Sequence, residues 1–379
     1  MKRLVVAALV LLCLPALAAC GGSVPPDLPV ESGGNEANII FEPSALEPVL
    51  RQMNLEEKVA QMLMASCHEK GSAQRAAAAG LGGVCLYADA FEGKSIAEVT
   101  AFTGSLQSMS GAGLLISVDE EGGSVCRIST NPALRGEPFL SPLQLYEKGG
   151  MELIKNDTAE KSALLLALGI NVNLAPVCDV PLGTGDYMYS RSFGLDAKAT
   201  AEYVSLVVGV MKQQGIGCSL KHFPGYGGSA DTHKGMAYDS RPYEDFTAGD
   251  FLPFEAGILA GADSVLVSHN IVECMDPEQP ASLSPEVHRV LRQELGFEGV
   301  IISDDMFMDA IVQFTGGSNP AVQAVLAGND LICCADFESA AAAILAAVEE
   351  KIIPSEQIDA SVLRILRWKS SLGLDISRE

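Results

Sequence analysis

One pattern recurs along this chain and limits the folds open to it. An Ala/Leu-rich, helix-type stretch ends in Gly, an apolar β-type run follows, and the run stops at a polar residue. Gly80 precedes Gly83–Tyr87, Gly113 precedes Leu114–Asp119, and Gly169 precedes Val172–Asp179. Gly215 precedes Ile216–His222, Gly261 precedes Val265–His269, Gly296 precedes Val300–Asp304, and Gly328 precedes Leu331–Asp336. An earlier run, Gln61–Ala65, follows the helix-like Leu55–Ala60 and brings the candidate strands to eight. A Gly just past a helix suits the left-handed C′ position. The runs are apolar nearly throughout rather than alternating, as strands covered on both faces require. The pattern predicts an α/β fold, a (β/α)8 TIM-type barrel in a single domain over residues 44–379. The alternative is an open doubly wound sheet. Its dinucleotide-binding version is weakened because no G-x-G-x-x-G follows the first strand. The widest spacing between strands, from 114 to 171, predicts a long excursion on one side.

The residues before the repeat read differently. Met1-Lys2-Arg3 is a basic start, Leu4–Ala16 is apolar, and Leu17-Ala18-Ala19-Cys20 follows. This is the pattern of a secretory signal over residues 1–19, short for a membrane span. Leu-Ala-Ala-Cys resembles the lipobox of bacterial lipoproteins. That resemblance implies lipidation of Cys20, with the exported protein anchored outside the cytoplasmic membrane or in the cell envelope. Residues 21–43, rich in Gly, Pro, Ser and Glu at their start, read as a flexible linker.

Charge and cysteine content exclude some functions. The chain carries 25 Lys and Arg against 48 Asp and Glu, a net charge of −23, which argues against a nucleic-acid partner. Loss of residues 1–19 removes Lys2 and Arg3 and takes this to −25. Trp368 is the only Trp, which fits a small ligand better than a stacking cleft for a long polymer. Of ten Cys, residues 85, 178, 218, 333 and 334 fall in or beside predicted strands, where Cys acts as a small apolar residue. Adjacent Cys333 and Cys334 should point to opposite faces of their strand. No C-x-x-C pair is present, and neither a metal site nor a cofactor is expected.

In such a barrel the reactive groups lie at the C-terminal ends of the strands. Those ends carry Asp119, Asp179, Lys221-His222, His269-Asn270, Asp304-Asp305 and Asp336. Any single Asp there could simply cap the next helix, and His269 could be a structural core histidine. Two segments stand out. Lys221-His222-Phe223-Pro224-Gly225-Tyr226-Gly227-Gly228 leaves a strand, turns Gly-rich, and ends in Asp231-Thr232-His233. An Asp two residues from a His can orient the imidazole and tune its charge. Gly299–Met306 ends an uncharged strand in Asp304, which reads as a helix cap or as a nucleophile.

These segments resemble glycoside hydrolase family 3, and more narrowly its single-domain bacterial β-N-acetylhexosaminidases. The family loop reads Lys-His-Phe-Pro-Gly-His-Gly followed by Asp-Ser-His. Its second mark is Leu-Gly-Phe-x-Gly-Val-Ile running into Ser-Asp-Asp-Leu, here Leu295–Met306. Further matches are Val118–Gly123, Asn173–Asp179, Arg191–Gly194 and Pro280–Ser284, and the resemblance covers about residues 46–370. The chain departs from the family at Tyr226, where the loop has His, and at Ser124, where Arg is usual.

The resemblance implies a single catalytic domain and names roles. Asp304 would be the nucleophile, His233 the general acid/base, and Asp231 its partner. Asp119, Arg127, Arg191, Lys221 and His222 would bind the hydroxyls of the terminal sugar. The implied reaction removes terminal β-N-acetylglucosamine, with retention, from cell-wall (peptidoglycan) fragments or related glycosides. Larger family members draw the proton donor from a second domain. Here the eighth unit and the helix near Ile358–Leu372 nearly fill the remaining length, which leaves Asp231–His233 as the expected donor. The Asp-x-His pair favours this substrate over a β-glucoside. Phosphorolysis, β-glucosidase activity and a non-catalytic sugar-binding lipoprotein stay open as alternatives.

Overall fold

All seven glycines that the repeat places after helices adopt positive φ, from +63° at Gly113 to +118° at Gly328. Each reverses the chain from a helix into the next strand. The computed structural model describes residues 43–377. The signal-type segment, Cys20 and linker residues 21–42 lie outside the described residues, and the first helix begins at Pro43.

The strands of the main sheet are β1 (Leu63–Cys67), β2 (Gly83–Leu86), β3 (Leu115–Val118), β4 (Val172–Asn173), β5 (Gly217–Phe223), β6 (Ser264–Val267), β7 (Val300–Ser303) and β8 (Ile332–Cys334); Tyr238–Asp239 and Ile271–Val272 pair separately. All are parallel and each pairs with its successor, apart from the step from β7 to β8. There a single parallel bridge joins Ile302 to Leu331. β1 pairs with both β2 and β8. The sheet therefore curls into a ring, and the open-sheet alternative falls. Every expected strand is present, and their side chains are buried throughout.

One run is shorter than its sequence promised. The apolar stretch Val172–Asp179 keeps ladder pairing only at Val172–Asn173, with a single further bridge from Val177 to Lys221. Pro176 lacks a donor for the ladder. The Asn173 side chain fills in for backbone, accepting from the Glu120 N–H and donating to the Glu120 carbonyl, both at 3.0 Å.

The helices start where their sequences supply caps. Asn54, Ser95 and Ser141 each form a reciprocal capping box with the residue three positions on. Asp336 accepts from the Ser339 N–H, so the plain capping role holds for that strand-end acid. The excursion before β4 contains the helix Pro142–Ala167, kinked at Gly149 and Gly150. The seven free Cys at 67, 85, 126, 178, 218, 333 and 334 are buried, and Cys274 is exposed. Trp368 is buried and closes the barrel floor against Gly217, where an added Cβ would come within 3.0 Å of the indole nitrogen.

Candidate active site

The C-terminal strand ends open into a cavity of about 470 Å³. Asp119, Arg127, Arg191, Lys221, His222, His233 and Asp304 all line it. Of the residues expected to form the site, Asp231 alone stands behind the lining, as partner to His233.

β3 delivers the acids. Side chains alternate past its end, so Asp119 and Glu121 face Lys221 while Glu120 turns the other way. Glu120 accepts the backbone N–H groups of Arg127, Ile128 and Ser129, which fixes the loop that carries Arg127. Lys221 Nζ lies 2.6 Å from Asp119 Oδ1 and 2.7 Å from Glu121 Oε1. Arg191 grips Glu121 with Nη2 at 2.7 Å and Nε at 3.0 Å. Arg127 Nη2 is 3.6 Å from Asp119 Oδ2.

Burial alone would push these acids up and these bases down, but the neighbouring charges outweigh it. Glu121 and Asp119 lie below the usual carboxylate range, Glu121 through Arg191 and Lys221, and Asp119 through Lys221 and Arg127. Lys221 and Arg191 lie above their ordinary values, because of Asp119 and Glu121 in the first case and Glu121 in the second. The result is a fixed set of charged donors and acceptors suited to sugar hydroxyls.

β5 supplies two consecutive lining residues. Its register slips between Lys221 and Phe223, which interrupts the usual alternation. His222 then reaches the cavity with Nδ1 2.7 Å from Asp179 Oδ2 and Nε2 3.4 Å from Arg191 Nη2. Asp179 also accepts the N–H groups of His222 and Tyr226, so this strand-end acid holds the root of the Gly-rich loop.

The loop beyond is braced from below. Arg241 bridges Asp239 and Asp250, with its closest contact to each at 2.7 Å. A Cβ at Gly225 (φ +123°) would stand 2.3 Å from Asp250 Oδ1, so only Gly fits there. Tyr226, the departure from the family pattern, is buried and its hydroxyl lies 2.6 Å from Thr232 Oγ1. It ties the root of the loop to the turn Thr232–Lys234 that carries His233. Asp231 Oδ1 lies 2.9 Å from His233 Nδ1 and also accepts the His233 backbone N–H at 3.0 Å. Burial would raise the Asp231 carboxyl, but these hydrogen bonds hold it below its ordinary value. An Nδ1–H donated to Asp231 leaves Nε2 as the position for proton exchange.

β7 ends in Asp304, whose Oδ1 accepts the Asp305 N–H at 2.9 Å. The following acid also lines the cavity, with its carboxylate held by other partners. Asp305 Oδ2 lies 2.5 Å from Ser66 Oγ and 3.2 Å from His68 Nε2, and His68 stacks on Tyr87 with centroids 4.0 Å apart. His269 is fully buried, between Ser282 Oγ at 2.7 Å and the Asp305 carbonyl at 3.0 Å, and burial lowers its pKa. It is a structural histidine behind the site.

Three participants escaped the sequence reading. Glu121 was visible in principle, because alternation past Asp119 places the second residue on the same face. His68 and Tyr87 lie just past β1 and β2, and only the closed ring shows that His68 meets Asp305 while Tyr87 stacks on His68 and lies 3.2 Å from Ser66.

With this geometry in place, comparison with known proteins is decisive. The profile of the glycosyl hydrolase family 3 N terminal domain matches residues 54–368. The chain belongs to glycosyl hydrolase family 3. It is a hydrolase of O-glycosidic bonds. A beta-hexosaminidase of Nitrosomonas eutropha is 32% identical over 265 residues, 69% of this chain and 75% of that protein. A beta-hexosaminidase of Stenotrophomonas maltophilia is 36% identical over 263 residues, 66% of this chain and 75% of the relative. The solved family 3 beta-N-acetylglucosaminidase of Paenibacillus sp. FPU-7 superposes with a TM-score of 0.80 at 32% identity over 86% of this chain. This chain spans 64% of that one. A beta-N-acetylhexosaminidase structure from Beutenbergia cavernae gives 0.74 at 27% identity, covering 83% of this chain and 98% of its own.

Proposed function

We propose that this family 3 hydrolase is a retaining, exo-acting β-N-acetylglucosaminidase that removes terminal sugars from cell-wall fragments or related glycosides. One observation carries the reading: Asp304 and His233, the latter held by Asp231 from behind, border the same cavity as Asp119, Arg191 and Lys221, which Glu121 ties together. A nucleophile, a proton donor oriented by a carboxylate and a hydroxyl-binding wall are the parts that a two-step displacement needs. The names of the relatives support a hexosamine, and that of the Paenibacillus structure supports N-acetylglucosamine.

In the first step the Asp304 carboxylate attacks C1. Protonated His233 gives its Nε2 proton to the glycosidic oxygen, the C1–O bond breaks, and the leaving group departs as an alcohol. Asp231 holds the ring through Nδ1 during the transfer. In the second step neutral His233 takes a proton from water, the water oxygen bonds to C1, and the Asp304 carboxylate is released. Asp119, Arg127, Arg191, Lys221 and His222 hold the hydroxyls of the sugar meanwhile.

The test is turnover of aryl β-N-acetylglucosaminide beside aryl β-glucoside, each with and without phosphate. The expected result is hydrolysis of the first, phosphate-independent, with Asp304→Ala lowering kcat by at least about a thousandfold. A wild-type protein inert toward both substrates, or an active Asp304→Ala variant, overturns the reading. The proposal includes export and anchoring through a lipidated Cys20, on the strength of Leu17-Ala18-Ala19-Cys20. Radiolabelled palmitate should enter the wild type and be absent from Cys20→Ala; equal labelling of both would exclude the anchor.

A further inference from the structure

A second cavity, of about 300 Å³, adjoins the first above β7 and β8. Its walls include Val312 and Thr315 of the helix Asp309–Thr315, Asn319 in the following loop, and Asp336 and Ser339 beyond β8. Phe307 lines both cavities and keeps 68% of its surface exposed, three residues beyond Asp304. An aromatic ring so open at the mouth of a polar site is poorly explained by packing and well placed to stack on a ligand. The helix Asp309–Thr315 also packs against the turn Thr232–Lys234 that bears His233. The proton donor and the second cavity therefore share one helix.

We infer that the second cavity is the leaving-group site, with Phe307 as its stacking platform, and that it selects an uncharged sugar. This rests on the assignment of Asp304 and His233 above, and of the substrates proposed there it favours related glycosides with a neutral second sugar over cell-wall fragments whose second sugar carries a carboxylate. Charge decides the class of occupant. The first cavity holds Arg127, Arg191 and Lys221, whereas the lining of the second includes no Lys, Arg or His and contains the Asp336 carboxylate. A carboxylate or phosphate on the leaving group would lose hydration there and gain no counter-charge. A neutral N-acetylated hexose instead offers its C–H face to Phe307 and its hydroxyl and amide groups to Asn319 and Ser339, whose side chains stand 3.1 Å apart.

The experiment compares three donors with the same terminal N-acetylglucosamine. One is the neutral β-1,4-linked dimer, one is the dimer whose second sugar is N-acetylmuramic acid, and one is the glycosyl fluoride, which has no leaving-group sugar. Wild type should favour the neutral dimer over the carboxylate-bearing one by about tenfold in kcat/KM. Phe307→Ala should lower the ratio of dimer to fluoride turnover by about five- to tenfold, and Phe307→Trp should restore it. Phe307 is a surface residue, and turnover of the fluoride itself reports that each variant is folded. An unchanged ratio in Phe307→Ala, or equal or better use of the carboxylate-bearing dimer, overturns the inference and leaves the catalytic assignment standing. A wild type that turns over none of the three overturns the catalytic assignment itself.

Discussion

Two lysines are buried at opposite ends of this barrel, and their surroundings treat them in opposite ways. Lys221, at the C-terminal face, lies between Asp119 and Glu121 at 2.6 and 2.7 Å. Lys369, at the floor, donates to Gln61 Oε1 at 2.6 Å and to the carbonyls of Gly113 at 2.7 Å and Ala112 at 3.3 Å, with no carboxylate among them. Burial disfavours the charge on both. Two counter-charges reverse that at Lys221 and raise its pKa, while at Lys369 burial prevails and lowers it to about 7. The same residue type is thus a fixed cation at the cavity wall and a group of lowered pKa where only packing is at stake. Burial alone does not say whether a charge is functional; its partners do.

The largest effect should come from breaking the upper arrangement. Lys221→Met leaves two buried carboxylates sharing Arg191 and the more distant Arg127. Removing one member of a buried charge set typically costs about 3–5 kcal/mol. We expect a destabilisation of that order in urea unfolding. In the same variant kcat/KM should fall by about a hundredfold or more, since the sugar loses a cation and the wall its anchor. A variant close to wild type in both would show that Lys221 is not the centre of the network.

How much of this was readable beforehand follows from range of interaction. The strands were legible because each is announced locally by an apolar run, in seven of the eight after a Gly that ends a helix. The Asp231–His233 pair was legible because the partners are two residues apart. The charge network was half legible: Asp119, Lys221 and Arg191 stood at strand ends or in recognisable segments. That Glu121 joins Arg191 to Lys221 depends on pairing across 70 residues of chain. The lower lysine was not legible at all. Lys369 sits in a helix beside Trp368 and Ser370, and nothing local distinguishes it from a solvent-facing residue. Only the return of that helix beneath β1 and β3 brings it against Gln61 and Gly113. The role of Tyr226 was hidden for a similar reason. As a deviation from the family pattern it carried no sign of its partner, whereas its hydroxyl braces the turn that presents His233.

The smaller effect belongs to the floor, and its sign separates the two lysines. With a folded-state pKa of about 7 against an ordinary 10.5, Lys369 is neutral in the folded protein and protonated in the unfolded chain between those values. The unfolded chain then binds the extra proton, so stability rises with pH across this window. Below about pH 7 both states are protonated, the slope vanishes, and the cost of burying the charge is present in full. Replacing the group by Met removes the linkage. The stability of wild type relative to Lys369→Met should therefore increase from pH 7 to pH 9 by up to ~1.4 kcal/mol per pH unit, and stay level from pH 5.5 to 6.5. Urea unfolding of both proteins across that range measures it. Activity should change little, because the floor lies at the opposite end of the strands from Asp304. A difference that is flat with pH would mean that Lys369 keeps an ordinary pKa. The carbonyls and Gln61 would then be solvating a buried cation as effectively as Asp119 and Glu121 do, and the contrast between the two ends of the barrel would be lost.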